Sequence, residues 1–288
     1  MDGRFALMLS TALAPLVWGS TYLVTTEFLP PDRPLYAALL RVLPAGVLLL
    51  LWAREVPPRA EWKRLFLLGM LNIGFFQAML FVSAYRLPGG LAAILTSTQT
   101  LMVMVLTAWL GVQRPPLAAW LAAGVGVVGI ALLVYAPGVR FDAVGIVAAL
   151  LTALAGAVGA YFSKYWHTSL SLLAFTGWQL LFGGLCLLPL ALWLEPPLPR
   201  LSATQVGGYL YLCLFGSVLA YVLFFRGIQR LPVAVAMSLS LLSPVSAFIL
   251  GWLFLDQRMD GRAVFGFVLA LLSIFGVQRA LQAKTSQK

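Results

Sequence analysis

Apolar runs of about twenty residues follow one another along almost the whole chain, and a bilayer is the solvent in which such a series folds. Ten can be marked, near residues 5–26, 35–53, 65–84, 88–110, 117–136, 143–162, 170–194, 206–225, 232–255 and 263–282. Lipid offers no partner to an open backbone group, so each run has to close its own hydrogen bonds as a helix. The predicted class is therefore an all-α integral membrane protein of ten transmembrane helices. Only 10% of the 288 residues are charged and 61% are hydrophobic, against about 25% charged in soluble domains. The mean hydropathy of +0.95 agrees.

The breaks between runs are short and carry Pro, Arg or Asp, as in "EFLPPDRP", "REVPPRAEWKR" and "EPPLPRLSATQ". Ten spans put both termini on one side. Lys and Arg number twelve on that side and six on the other, with Arg41 inside the second run, so the positive-inside rule predicts cytoplasmic termini. The acidic residues lean the other way, three against six. Arg4 before an apolar core and Ala12-Leu13-Ala14 resemble a signal peptide, but with so many runs following, an uncleaved first span is expected. The net charge of +10 is scattered among the links and gives no nucleic-acid module. Cys186 and Cys213 lie in apolar runs and read as packing residues.

A repeat divides the chain near its middle. Leu87-Pro88 recurs as Leu231-Pro232 and Gln113-Arg114 as Gln257-Arg258, both 144 positions on, while Thr11 to Ala14 recurs as Thr152 to Ala155 at an interval of 141. The expected units are residues 1–138 and 139–288, together one transmembrane domain. Each holds five spans, an odd number, so the second enters the membrane in the opposite sense. Two inverted five-helix repeats are a plan used by secondary carriers, which rock about a site near the midplane.

The stretch "TSTQT" at 96–100 interrupts the fourth run. On an unbroken helix Thr96, Gln99 and Thr100 share a face, and the interval of 144 carries them to Ser240, Ser243 and Pro244. A carboxamide facing lipid is costly, so both copies should point inward and line a substrate pathway. Pro244 lacks an amide proton and should add a bend and an open carbonyl at that depth. Ser97 and Thr98 fall off the shared face and are expected only to bond their own helix. Pro88 and Pro232, at opposite membrane faces, are expected hinges.

Further candidates at suitable depth are Trp18, Tyr22, Asn72, Gln77, Tyr161 and Tyr221. Trp18 and Tyr22 are four apart and can share a surface; Asn72 and Gln77 are five apart, so at most one should line it. Trp52, Trp62, Trp193 and Tyr36 read as interface anchors, and "GVGVVGIA" and "GAVGA" as close helix contacts. Arg41 is a charge within a span, either functional or snorkelling to the headgroups. Lys164, at the cytoplasmic end of the sixth run, is the other possible charged contact. No Asp or Glu lies centrally in a span, so uptake driven by a proton-binding carboxylate is not expected. With one histidine, His167, and no metal-ligating or nucleophile–base cluster, neither catalysis nor a cofactor is expected.

Together, ten spans, the inverted repeat, Trp18-Gly19-Ser20 in the first span, Arg41 in the second and Arg-Leu-Pro opening the fourth and ninth resemble the drug/metabolite transporter superfamily, EamA type. The resemblance covers nearly the whole chain. It implies a bacterial inner-membrane carrier with a central cavity, most similar to exporters of aromatic and other neutral amino acids. Members carry a glutamate after the fourth and ninth spans, where this chain has Gln113 and Gln257. The partners implied are a small-molecule substrate and the lipid bilayer; a monomer is compatible, and no nucleic acid is involved. Two alternatives stay open. One is a carrier of sugar phosphates or nucleotide sugars that uses Arg41 and Lys164; the other is a membrane protein that binds or assembles without transporting.

Overall fold

The computed structural model describes residues 2–87, 89–112, 114–134, 142–166, 168–254 and 260–285, with side chains at all of these except 2, 22, 84, 85, 89–91, 94, 134 and 282–285. Every regular element among them is helical. The first half holds α1 (Asp2–Phe28), α2 (Pro34–Ala53), α3 (Trp62–Gly69), a π-helical turn π1 (Met70–Phe75), α4 (Phe76–Arg86), α5 (Gly89–Ser97), α6 (Gln99–Trp109) and α7 (Leu117–Val134). The second half holds α8 (Ala143–Tyr165), α9 (Leu172–Leu194), α10 (Ala203–Cys213), π2 (Leu214–Leu219), α11 (Ala220–Arg230), α12 (Val233–Leu239), α13 (Leu242–Phe254) and α14 (Gly261–Thr285).

Eight helical segments among the described residues are long and apolar enough to cross a membrane. They include Trp62–Ser83, continuous through π1, Ala203–Arg230, continuous through π2, and Val233–Phe254, which joins α12 to α13. The two other runs marked in the sequence coincide with α5 plus α6, and with α7, whose apolar part is the shorter Leu117–Leu133.

Polar side chains close the helix ends at the links, where four backbone donors would otherwise be open. Asp142 accepts from Gly145 N at 2.7 Å and starts α8; Ser202 and Gln205 form a reciprocal capping box on α10. At α2, Glu195 reaches in from the link after α9 and accepts from Leu35 N at 2.6 Å and Tyr36 N at 3.0 Å. Tyr36 is buried, at 8% exposure, and is no interface anchor. Trp52 and Trp193 do face outward.

Local irregularities recur at the interval found in the sequence. Met70 and Leu214 open the two π turns, and Arg86 and Arg230 end the helices that follow, each pair 144 apart. Both polar midspan stretches are breaks: Thr98 parts α5 from α6, and Ser240 with Leu241 parts α12 from α13. The main packing pairs are α7 with α14, α2 with α9, α1 with α13 and α4 with α8. Between them a cavity is left open.

Candidate functional site

The cavity measures about 690 Å³, and its walls come from α1, α2, π1, α4, α5, α6, α8, α11, α12 and α13. It reaches the surface at the α1–α2 link, where the exposed Pro31 and Asp32 form part of its lining. Its volume lies in the range of small-molecule sites.

Arg41 is buried, at 5% exposure, and lines the cavity. The guanidinium turns into the bundle and does not snorkel to the headgroups. Its Nη2 donates to the Gly216 carbonyl at 3.1 Å and its Nε to Ser217 Oγ at 3.5 Å. Trp18 Nε1 donates to the same Gly216 oxygen at 2.9 Å. Gly216 stands within π2, where the ladder shifts from i→i+4 to i→i+5, so two helices are tied to one irregular turn. The Trp18 ring also packs on Tyr221 and Phe224, with centroids 5.1 and 5.0 Å away. The aromatic wall therefore lies beside the cation.

Asn72 and Gln77 both line this cavity, contrary to the expectation that one would be excluded. Five positions on an α-helix turn a side chain by about 140°, but π1 lies in that interval and its i→i+5 register brings the two onto one face. Asn72 Nδ2 donates to Gln179 Oε1 at 2.7 Å and to Ser163 Oγ at 2.9 Å. Gln77 Nε2 donates to the Tyr221 hydroxyl at 3.2 Å, while its Oε1 is buried with no hydrogen-bond partner.

The TSTQT stretch does not act as one helical face. Because the helix breaks at Thr98, Thr96, Ser97 and Gln99 line the cavity, whereas Thr100 lies outside its lining, buried, and donates to Met237 O at 3.1 Å. Thr96 spends its hydroxyl on Ala92 O and Ala93 O of its own helix. Gln99 Nε2 donates to Ser240 Oγ at 2.5 Å, and Ser240, Ser243 and Pro244 complete that wall. Pro244 sits in the first turn of α13, after the break, and Ser240 O is taken by Ser243 N at 3.0 Å. The expected open carbonyl is closed, since a proline in a first turn displaces no helical bond.

Three expected residues stand elsewhere, and two others cannot be placed in the cavity wall. Tyr161 is buried and packs on Tyr165 and Phe162, outside the cavity lining. Lys164 Nζ donates to Gln229 O at 2.9 Å and Leu231 O at 2.8 Å, tying the end of α8 to the end of α11. Pro232 is the residue before α12. Tyr22 belongs to α1, but its side chain, like Pro88 as a whole, lies outside the described residues.

Several lining residues were not foreseen from the sequence. Thr21, Thr25 and Thr26 of α1 add hydroxyls, and Phe76 and Phe224 add rings. Gly156 and Gly159, read as simple helix contacts, carry the approach of polar side chains: a Cβ at Gly156 would lie 2.8 Å from Gln99 Oε1, and one at Gly159 would collide with the Asn72 carboxamide. Periodicity could have found the threonines of α1, which recur with Trp18 at helical spacing. Nothing in the sequence announces the Gly216 carbonyl.

Comparison with known proteins agrees with this architecture. The EamA-like transporter family matches the chain over residues 6–135 and 143–279. Protein PecM of Dickeya dadantii is 43% identical over 92% of this chain and 90% of its own length. The uncharacterized inner membrane transporter YedA of Escherichia coli K12 is 27% identical, covering 82% of this chain and 78% of that protein. A solved crystal structure superposes with a TM-score of 0.81 over 96% of this chain and 98% of the other, at 19% identity, which speaks for the fold alone. The chain belongs to the EamA-like transporter family and is a multi-pass protein of the bacterial inner membrane.

Proposed function

We propose that this transporter is a secondary carrier that exports neutral, chiefly aromatic, amino acids and related small metabolites by alternating access. The observation that carries the proposal is the buried Arg41 guanidinium set beside the Trp18, Tyr221 and Phe224 rings in one cavity. A guanidinium fork suits a carboxylate, and the rings suit an apolar side chain or the face of an ammonium group. Two five-helix repeats of opposite sense, residues 1–138 and 139–288, with both termini in the cytoplasm, form the proposed frame. Recurrence of the π turns and the midspan breaks supports it. The cavity then opens to the periplasm through the α1–α2 link, and Pro88 and Pro232 bound the moving segments.

A carrier of sugar phosphates draws support from Arg41 and from Arg33 at the mouth. Lys164, its other expected contact, is engaged by two carbonyls, which favours the amino-acid reading. Uptake of labelled phenylalanine, leucine, serine and a hexose phosphate into liposomes holding the purified chain tests the choice. Saturable uptake of phenylalanine is expected; uptake confined to the phosphate would replace the substrate class.

A further inference from the structure

Gln99 is held so that only one of its polar atoms can serve a ligand. Met237 O has no proton to give, so Ser240 Oγ, 2.6 Å away, must donate to it. That uses the single hydroxyl proton of Ser240, which therefore receives Gln99 at 2.5 Å as an acceptor. The nitrogen of the carboxamide is thereby fixed toward Ser240, and Oε1 is left on the other side as a pure acceptor. It faces Gly156 on α8: a side-chain carbon there would lie 2.8 Å from Oε1 and 3.3 Å from the Phe76 ring. Gln99, Gly156 and Phe76 all line the cavity.

A carboxamide oxygen and an aromatic ring thus stand side by side on the cavity wall, packed over the bare backbone of Gly156. From this geometry we infer that Gln99 Oε1, Phe76 and Gly156 form the subsite that reads the substrate's ammonium group, with Gly156 as a specificity-determining residue. An ammonium can donate to Oε1 while its remaining positive field meets the ring. A hydroxyl can use the oxygen but gains little from the ring, and a carboxylate is repelled by both. The subsite rests on the amino-acid reading above and adds to it a requirement for a cationic donor. Gly156→Ala should close it without touching a polar residue, because the new methyl group displaces Oε1 while Ser240 still holds the nitrogen.

The test uses the full chain in lipid nanodiscs, with equilibrium binding of labelled ligand as the signal and three probes: phenylalanine, phenethylamine and 3-phenylpropionate, which keeps the ring and carboxylate but lacks the amine. Gly156→Ala and Gln99→Leu should each weaken the two amines by about tenfold, the worth of one charged hydrogen bond, and leave 3-phenylpropionate within about twofold. Gln99→Glu, which keeps the shape and adds a negative charge, should strengthen phenethylamine. Equal losses for all three probes, or no loss in Gly156→Ala, would overturn the subsite alone. Absence of phenylalanine binding by the unaltered chain would instead overturn the amino-acid reading, and the subsite with it.

Discussion

Gln77 Nε2 donates to the Tyr221 hydroxyl at 3.2 Å, and the two residues are 144 positions apart, the interval that also separates π1 from π2. In the proposed frame of two repeats that exchange conformations, a contact between equivalent positions would map onto itself, and the Gln77–Tyr221 pair would be kept throughout the cycle. Trp18 to Gly216 and Asn72 to Gly159 form a different relation. At intervals of 141 and 144 the first pair of positions maps onto the second, so the same junction is built twice, each time by a first-half side chain against a second-half glycine carbonyl.

Removing the Tyr221 hydroxyl leaves Gln77 with neither polar atom bonded, since its Oε1 already lacks a partner. Tyr221→Phe should lower stability by about 1 kcal/mol, seen as a fall in Tm in detergent. Because Tyr221→Phe keeps the ring of the cavity wall, phenylalanine binding should stay within about twofold. A loss of about tenfold or more would assign the hydroxyl to substrate rather than to Gln77.

Lys164 ties the end of α8 to the end of α11 through two carbonyls, which in the proposed cycle would close the face opposite the α1–α2 link, and charge-assisted bonds of this kind contribute about 1.5–3 kcal/mol. Lys164→Met should shift the population toward the state open on that face by about tenfold or more. The measurement is maleimide labelling of Ile228→Cys, at the deep end of the cavity, in a chain with Cys186 and Cys213 replaced. Unchanged labelling from the Lys164 side would remove the clamp from the mechanism.

Arg41→Gln should weaken carboxylate-bearing substrates by about a hundredfold, the loss of a buried charged partner, and weaken phenethylamine far less. Arg41→Lys should rescue little, because an ammonium cannot reproduce the fork. Equilibrium binding of phenylalanine and phenethylamine to each variant checks both statements. Equal losses for the two ligands would assign Arg41 to holding Gly216 rather than substrate.

Outside the spans, Glu61 joins the α2–α3 link to the α8–α9 link. Burial acts to raise its carboxyl, but hydrogen bonds from Thr168 and Ser169 and the charge of Arg64 outweigh it, holding the group below its ordinary value. Such a group adds stability that is fully present above its unfolded-state pKa and is lost as pH falls through the folded-state pKa. Glu61→Gln should therefore lower Tm near neutral pH and flatten its decline in the acid range, below about pH 4.3. Parallel Tm curves for the two proteins across that range would deny the linkage.

How much of this was legible in the residues differs from element to element. Apolar runs announced the helices, because these depend on composition and spacing alone, and the 144-residue interval recurs in the starts of the two π turns. The site was harder to read wherever the helix departs from α geometry. Asn72 and Gln77 looked incompatible only because a regular helix was assumed, and a π turn has no signature in "MLNIGF". The break at Thr98 likewise rotated Thr100 away and Ser97 in. Lys164 and Gly156 depend on what another helix brings opposite them, which spacing along one helix cannot show.

Counterflow is the most direct test of the proposed alternating access. Liposomes containing the purified chain are loaded with unlabelled phenylalanine and diluted into a trace of the labelled amino acid, with the Arg41→Gln variant in parallel. Alternating access predicts a transient accumulation of label above equilibrium that requires internal phenylalanine and is lost in the variant. Label that merely equilibrates, at one rate with or without internal substrate and in both proteins, would contradict it.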